Sequence, residues 1–210
     1  MKFIKIFGTV NSGTVYLEWL IRKNLDIQIL NTYDLGWKHR IAPSKEELTD
    51  ETIENVIYVC LTKNPYSWIL SMHKRPYQHE ALKKLGFFDF IKFSYGDYRN
   101  PIIMWNQKNN SYVQLADYVK HHILVSYEDV LYDPKKFLDE FADKFHLRKP
   151  PFYKNINNLL TNSHGLKQKH FHKDYYLEEK WKSKLNPEHI EYINQFLDKQ
   201  LMQKLNYSIL

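Results

Sequence analysis

Four short apolar runs, rich in β-branched and aromatic residues, punctuate the first two thirds of the chain. They cover residues 3–7, 27–30, 56–61 and 122–126. Because each run is continuous rather than alternating, it predicts a strand that is buried on both faces. Segments with helical spacing lie between the runs, notably 13–23 and 66–73. Buried strands that alternate with helices predict a parallel α/β sheet with right-handed crossovers.

Two predicted helices dominate the last third of the chain. Apolar side chains recur at helical spacing over residues 134–145, and a second such pattern covers residues 187–205. Asn186 and Pro187 suit the N-cap and the first position of the second helix. The sequence has no repeat, low-complexity tract or linker. We therefore expect a single domain over residues 1–210.

Composition narrows the class of protein. The 210 residues are 43% hydrophobic, 26% charged and 16% aromatic, which is typical of a compact globular domain. No run approaches the roughly 20 apolar residues of a membrane-spanning helix, and the N-terminal run is too brief for a secretory signal. We therefore expect a cytoplasmic protein without a membrane span. The single cysteine, Cys60, excludes an internal disulfide and is expected to be a buried thiol.

The net positive charge is compatible with an anionic ligand but does not identify it. Lys and Arg number 30 against 24 Asp and Glu, which gives a formal net charge of +6. An excess of this size suits a nucleotide, a sulfated or phosphorylated metabolite, a nucleic acid, or simply a solvated surface. The positions of the charges have to distinguish these cases.

A glycine loop directly after the first predicted strand is the most informative motif. It reads GTVNSGT over residues 8–14, although the whole chain has only six glycines. Glycines let a backbone turn tightly around an anion, and the following helix offers its N–H groups and positive dipole end. The spacing matches the start of a P-loop, and an ordinary strand-turn-helix glycine pair is the alternative.

The residues after the second glycine separate two kinds of P-loop. An NTP-hydrolysing loop needs Lys and then Ser or Thr there, the latter to hold Mg²⁺. This chain has Thr14 and Val15 at those positions. We therefore expect a loop that holds a phosphate-like group without a metal. The expected fold is a P-loop NTPase-like three-layer α/β sandwich with a central parallel sheet of four to five strands flanked by helices.

Two further motifs follow later strands. Residues 63–71 read KNPYSWILS, and residues 125–134 read VSYEDVLYDP. Pro65 suits the first turn of a helix, which places Lys63 just before it and Ser71 nearly two turns along it. A cation and a hydroxyl would then converge at the carboxyl edge of the sheet, where open α/β folds bind ligands. A solvent-facing lysine with a helix serine, and plain helix capping, are the alternative interpretations.

In this order the three motifs resemble those of the cytosolic-type sulfotransferase family, which uses 3'-phosphoadenosine 5'-phosphosulfate (PAPS). That family has a loop like P-K/R-S-G-T-T/S-W/Y-L, a later stretch like R-N-P-x-x-x-x-x-S and a Y-E-D-L segment. This chain has VNSGTVYL at 10–17, KNPYSWILS at 63–71 and YED at 127–129. The resemblance covers roughly residues 3–146, and its specificity comes from the order of motifs that are individually nonspecific.

The resemblance implies roles residue by residue. The 5'-phosphosulfate would be held by Ser12, Gly13 and Thr14 together with the neighbouring backbone of Asn11, Val15 and Tyr16. Lys63 and Ser71 would grip the 3'-phosphate, and Tyr127 would lie near the adenine. Family members also have a Lys-Thr-His or Lys-His segment that supplies the catalytic base. In this chain WKHR at 37–40 occupies that interval.

The chain also departs from the family pattern. Asn11 replaces a basic residue, Val15 replaces a common hydroxyl, and Lys63 replaces an arginine and so lacks its bidentate fork. Lys38 is therefore expected to supply the missing charge at the leaving group. His39 is expected to be the general base, because an unperturbed imidazole titrates at about pH 6.5. A surface lysine and a surface histidine are the alternatives.

Residues 163–184 form a basic stretch that contains six lysines and three histidines. Gly165, Lys167 and Lys169 are its candidates for closing over the 3'-phosphate, as a mobile loop of the family does, or for receiving an anionic acceptor. A solvated surface is the alternative. His170 and His172 have no third ligand at a suitable spacing, so no metal is expected.

The sequence thus predicts an enzyme that moves a sulfuryl group from PAPS to a hydroxyl or amine of a small-molecule or carbohydrate acceptor. Two other classes stay open. A P-loop nucleotide kinase would require Mg²⁺, and a non-catalytic nucleotide- or polyanion-binding module would show binding that falls steeply with salt. A degenerate sulfotransferase that binds nucleotide without catalysis lies between these classes. No nucleic-acid partner is expected.

Overall fold

The computed structural model describes residues 2–154, 156, 160–161, 167–168 and 173–210. In this part of the chain the strands are β1 (Phe3–Gly8), β2 (Gln28–Ile29), β3 (Val56–Thr62), β4 (His121–Ser126), β5 (Leu160–Thr161) and β6 (Lys167–Gln168). The helices are α1 (Thr14–Asn24), α2 (Asp50–Asn55), α3 (Pro65–Lys74), α4 (Phe87–Lys92), α5 (Pro101–Gln114), α6 (Tyr127–Tyr132), α7 (Pro134–Phe145), α8 (Lys173–Leu177), α9 (Pro187–Phe196) and α10 (Lys199–Lys204). Among these described helices, none has both the length and the apolar character to cross a membrane.

The central sheet consists of four parallel strands in the order β2-β1-β3-β4. β3 is buried along its whole length, and β1 is buried from Ile4 onward. β4 is only half-buried, so the expectation that this strand is covered on both faces is wrong. It lies at the edge of the sheet, where strands are less covered than central ones. β5 and β6 form a separate antiparallel pair.

Helices cover both faces of the central sheet. One face, which carries Ile57 and Val59, packs against α1, α6 and α7. The opposite face, which carries Tyr58 and Cys60, packs against α5 through Tyr112. α3, α4, α9 and α10 extend the protein through a third apolar core that includes three fully buried tryptophans. The three-layer α/β arrangement is as predicted, and the Cys60 thiol is buried as expected.

The predicted helix over residues 187–205 is in fact two helices. α9 ends at Phe196, the C-cap residue Leu197 has an extended backbone, and Asp198 then caps α10. The Asp198 carboxylate accepts hydrogen bonds from the backbone N–H groups of Gln200 and Leu201. A side chain that satisfies first-turn N–H groups starts a new helix, and here it does so although the apolar spacing runs on.

Candidate functional site

The glycine loop connects β1 to α1, and both of its glycines are required by close contacts. A Cβ atom on Gly8 would lie 2.9 Å from the carbonyl oxygen of Leu61 in β3. Gly13 has a φ of +98°, and a Cβ atom there would lie 2.4 Å from the ring of Tyr127. The loop is thus packed between the ends of β3 and β4.

The loop offers hydrogen-bond donors to an anion. Gly13 caps α1 without a side chain, and the first turn of α1 carries no acidic residue. First-turn N–H groups have no partner within a helix, so those of Thr14 and Val15 face the loop as donors. The hydroxyls of Thr9 and Ser12 are buried and have no hydrogen-bond partner among the described residues. Buried hydroxyls normally have a partner, so these two fit a site that a bound anion completes.

Lys63 and Ser71 meet beside this loop, as their spacing predicted. The Lys63 ammonium lies 3.0 Å from Ser71 Oγ and 3.4 Å from the backbone carbonyl of Asn11. Lys63 is only 2% exposed. Burial lowers its pKa, and the nearby Tyr176 and Glu128 partly offset that effect. The interpretation of Lys63 as a solvent-facing lysine is therefore wrong.

Tyr127 closes the space between the loop and Lys63. Its ring lies 5.1 Å from the Lys63 ammonium and packs edge-on against Tyr16 of α1. The neighbouring Glu128 joins two elements, because its carboxylate accepts hydrogen bonds from the Asn64 N–H and the Tyr207 hydroxyl. Burial raises the pKa of Glu128. Helix capping explains only the flanks of this motif, where Ser126 caps α6 and Asp133 caps α7.

Asn11 does not extend a donor into the loop. Its amide donates hydrogen bonds to the Met72 sulfur and to the backbone carbonyl of Arg75, at the end of α3. Arg75 is exposed, and its charge acts on Lys63, Tyr127 and Tyr176. This guanidinium is a second cation near the site that sequence reasoning missed. The sequence could have indicated Arg75 through its position one residue beyond the helix that carries Ser71.

The segment with Lys38 and His39 runs alongside the loop. The Gly8 N–H donates to the Lys38 carbonyl at 3.0 Å, and His39 Nδ1 lies 2.6 Å from the Gly8 carbonyl. A carbonyl only accepts hydrogen bonds, so Nδ1 carries the proton and Nε2 keeps its lone pair. The Lys38 ammonium pairs with Glu18 of α1 at 3.6 Å.

The electrostatic surroundings of His39 favour its neutral form. The pKa of His39 is lowered to about 4, chiefly by burial and also by the charges of Lys38, Lys108 and Lys5, against the raising effect of its hydrogen bond to Gly8. The buried Lys108 ammonium donates to the His39 carbonyl at 2.6 Å. Burial lowers the pKa of Lys108 to about 8. Sequence reasoning missed Lys108, because nothing in helix α5 marks it.

The candidates in the basic stretch are described only in part. Gly165 and Lys169 lie outside the described residues, and Lys167 is described by its place in β6 alone. Among the described residues of this stretch, Tyr176 of α8 reaches the site, since its ring lies 4.1 Å from the Lys63 ammonium. Among the described residues no group of three His, Cys, Asp or Glu side chains is placed to hold a metal ion.

Fold and site together define an α/β protein with a glycine loop, a buried lysine and a serine hydroxyl at the carboxyl edge of its sheet. No family model matches the chain. No curated protein matches it in sequence. Solved structures do match it in fold.

The sulfotransferase from Alicyclobacillus acidocaldarius matches with a TM-score of 0.59 and 10% identity, over 99% of this chain and 97% of that chain. The sulfotransferase domain from the curacin biosynthetic pathway matches with a TM-score of 0.52 and 18% identity, over 88% of this chain. The match covers 63% of the curacin domain, so the chain spans less than two thirds of that relative. The chain has the fold of these sulfotransferases, which confirms the predicted resemblance at the level of the fold.

Proposed function

We propose that the protein is a PAPS-dependent sulfotransferase that transfers a sulfuryl group to a hydroxyl or amine of a small-molecule or carbohydrate acceptor. The observation that carries the proposal is the contact between Lys63 and Ser71 beside the glycine loop. It joins a buried cation and a hydroxyl at the sheet edge where α/β folds bind nucleotides. The sulfotransferase fold supports the same assignment.

The chain offers two separate anion positions to such a nucleotide. In this proposal Ser12, Gly13 and Thr14, with the neighbouring backbone, hold the 5'-phosphosulfate, while Lys63 and Ser71 hold the 3'-phosphate. The bound donor supplies an activated sulfuryl group. The positive end of α1 stabilises the charge that builds up on the leaving phosphate oxygen. Lys38 and Arg75 contribute further positive charge in place of the basic residue that Asn11 replaces.

His39 is proposed as the general base. Its Nδ1–H is held by the Gly8 carbonyl, which leaves Nε2 to accept the proton of the acceptor hydroxyl. The low pKa keeps the ring neutral at physiological pH, so the lone pair is available. The hydrogen bond to the loop backbone also fixes the position of the imidazole relative to the glycine loop.

Calorimetric titration tests the nucleotide assignment. We would titrate the wild type and Ser71→Ala with 3'-phosphoadenosine 5'-phosphate (PAP, the desulfated product), with AMP, and with ATP and Mg²⁺. Preferential binding of PAP that weakens in Ser71→Ala supports the sulfotransferase. Preference for ATP with Mg²⁺ identifies a kinase instead. Absence of nucleotide binding, together with salt-sensitive binding of many polyanions, identifies a polyanion-binding module.

A further inference from the structure

The turn that carries Lys63 is held by side chains from two other parts of the chain. Before Lys63, the Thr62 hydroxyl lies 3.1 Å from the hydroxyl of Tyr207, a residue that follows α10. After Lys63, the Asn64 N–H donates to Glu128 of α6 at 3.2 Å. The Tyr207 hydroxyl donates to the other carboxylate oxygen of Glu128 at 3.1 Å, which joins the two sides. Thr62, Tyr207, Glu128 and Asn64 thus form a continuous bracket around Lys63.

The carboxylate of Glu128 sets the direction of the hydrogen bonds in this bracket. A carboxylate only accepts, so Tyr207 spends its one proton on Glu128 and can only accept from Thr62. The Thr62 hydroxyl then donates to Tyr207, and the Val125 carbonyl at 3.3 Å is its other acceptor. Hydrogen bonds to an ionised group are roughly twice as strong as neutral ones. The Tyr207 hydroxyl is therefore the central link of the bracket.

The bracket fixes both members of the proposed anion pair. Lys63 lies between its two anchored neighbours, Thr62 and Asn64. Asn64 also starts the helix that carries Ser71, because its side chain accepts hydrogen bonds from N–H groups in the first turn of α3. A shift of Asn64 would therefore move Lys63 and Ser71 together. The glycine loop is held by different contacts, which run from Gly8 to residues 38 and 39.

We propose that Tyr207 is a positioning residue for the 3'-phosphate, because through Thr62 and Glu128 it holds Lys63 and Ser71 where one phosphate can bind both. The inference rests on the nucleotide site proposed above and goes beyond it, since it assigns a role in nucleotide selectivity to a residue that acts through its neighbours. A nucleotide without a 3'-phosphate uses the glycine loop and does not depend on this bracket. Tyr207 therefore strengthens the preference for a nucleotide that carries a 3'-phosphate.

The test is calorimetric titration of wild type and Tyr207→Phe with PAP and with AMP. Phenylalanine keeps the ring that packs against Trp105, at a centroid distance of 6.3 Å, and removes only the hydroxyl. PAP affinity should fall by about three- to tenfold, because part of the effect of losing a hydrogen bond to a charged group reaches Lys63. AMP affinity should stay within about twofold, because AMP places no phosphate on Lys63 and Ser71. A general loosening of the protein would weaken both nucleotides alike.

Thr62→Val tests the bracket by a second route, since valine has nearly the same shape as threonine and no hydroxyl. PAP affinity should fall in this variant by a smaller factor, because Glu128 keeps its hydrogen bond from Tyr207. The double variant Tyr207→Phe/Thr62→Val should bind PAP as Tyr207→Phe does, since both changes break the same chain of hydrogen bonds. Additive losses of PAP affinity would mean that the two residues act independently, and would overturn the inference.

Tyr118→Phe is the matched control. The Tyr118 hydroxyl donates to the Pro43 carbonyl at 2.6 Å, and Tyr118 precedes β4, at the opposite end of that strand from Glu128. PAP affinity of Tyr118→Phe should equal that of the wild type, although a hydrogen bond is lost. Circular dichroism and thermal unfolding establish that each variant is folded.

The outcomes separate the inference from the function on which it rests. Equal PAP affinities in wild type and Tyr207→Phe would overturn the inference alone. Equal falls in PAP and AMP affinity, or an equal fall in PAP affinity in Tyr118→Phe, would also overturn it alone. Absence of PAP binding in the wild type would overturn the proposed function and the inference together.

Discussion

The Lys63 ammonium and the Ser71 hydroxyl lie 3.0 Å apart because the turn between β3 and α3 is fixed at each step. The Lys63 carbonyl accepts a hydrogen bond from the indole N–H of Trp105. Asn64 then caps α3 through the backbone N–H of Tyr66, and Pro65 occupies the first turn. Nearly two helical turns later the Ser71 side chain returns to the end of the strand. The backbone thus holds the cation and the hydroxyl together without an ion pair.

This arrangement predicts that replacing the buried Lys63 and replacing the buried Lys5 have different effects on the free energy of unfolding. Among the described residues Lys63 forms no ion pair, so its buried charge is retained at a cost to stability. Lys63→Met should lower PAP affinity by about ten- to a hundredfold. Its free energy of unfolding, measured by chemical denaturation, should stay within about 1 kcal/mol of the wild-type value or rise.

Lys5→Met is the matched control. The Lys5 ammonium donates to the carbonyls of Asn31, Thr32 and Gly36 at 2.8–3.2 Å, and it is 1% exposed. Its removal takes the ammonium donor from all three carbonyls, and among the described residues the Gly36 carbonyl has no other donor, so Lys5→Met should destabilise the protein by about 1–3 kcal/mol. Equal losses of stability in the two variants would show that Lys63 is a structural lysine like Lys5.

Gly13→Ala should destabilise the loop for two separable reasons. The φ of +98° disfavours any side chain, and the added Cβ atom meets the Tyr127 ring. Gly96 has a φ of +60° and open space around its Cα, so Gly96→Ala bears the first penalty without the second. Denaturation should give a loss of about 1–2 kcal/mol for Gly96→Ala. For Gly13→Ala the loss should be about 1–3 kcal/mol larger. Similar losses of stability in the two variants would mean that the Tyr127 ring shifts readily to accommodate the added methyl group.

The sequence was most informative where local geometry alone fixes position. The convergence of Lys63 on Ser71 follows from a strand end, a proline in the first turn and nearly two turns of helix. By contrast, residues brought in from distant elements left no local signal. Tyr176 reaches Lys63 only through the packing of α8, and Lys108 reaches His39 only through the packing of α5 on the loop.

Patterns of apolar residues were also less informative about where elements end or lie. Leu197, Leu201 and Leu205 continue the helical spacing across the break before α10, so only the Asp198 cap marked a new helix. The run that forms β4 is as continuous as the others, yet strand order places β4 at the edge of the sheet. Strand order is a tertiary property that the run itself does not encode.

His39→Asn separates binding from transfer. Asparagine keeps an N–H that can donate to the Gly8 carbonyl in place of Nδ1–H, so the loop should keep its shape. It has no basic lone pair in place of Nε2, so the turnover number should fall by about 10²- to 10⁴-fold. PAP affinity, measured by calorimetry, should change by less than about threefold because no charge is lost at the anion positions. Turnover equal to that of the wild type would remove the base assignment.

The low pKa of His39 also predicts how stability depends on pH. The pKa is about 4 in the folded protein against about 6.5 for an unperturbed imidazole, so between these values the unfolded chain binds a proton that the folded protein does not. Stability therefore falls as pH falls through this window, by up to about 3 kcal/mol from this residue. His39→Asn removes the titrating ring, so its free energy of unfolding should fall less steeply than that of the wild type between pH 7 and pH 4. His146→Asn is the control, because His146 is exposed and its left-handed backbone suits asparagine. The free energy of unfolding of His146→Asn should change with pH in parallel with that of the wild type. The same parallel dependence for His39→Asn would contradict a buried, neutral His39.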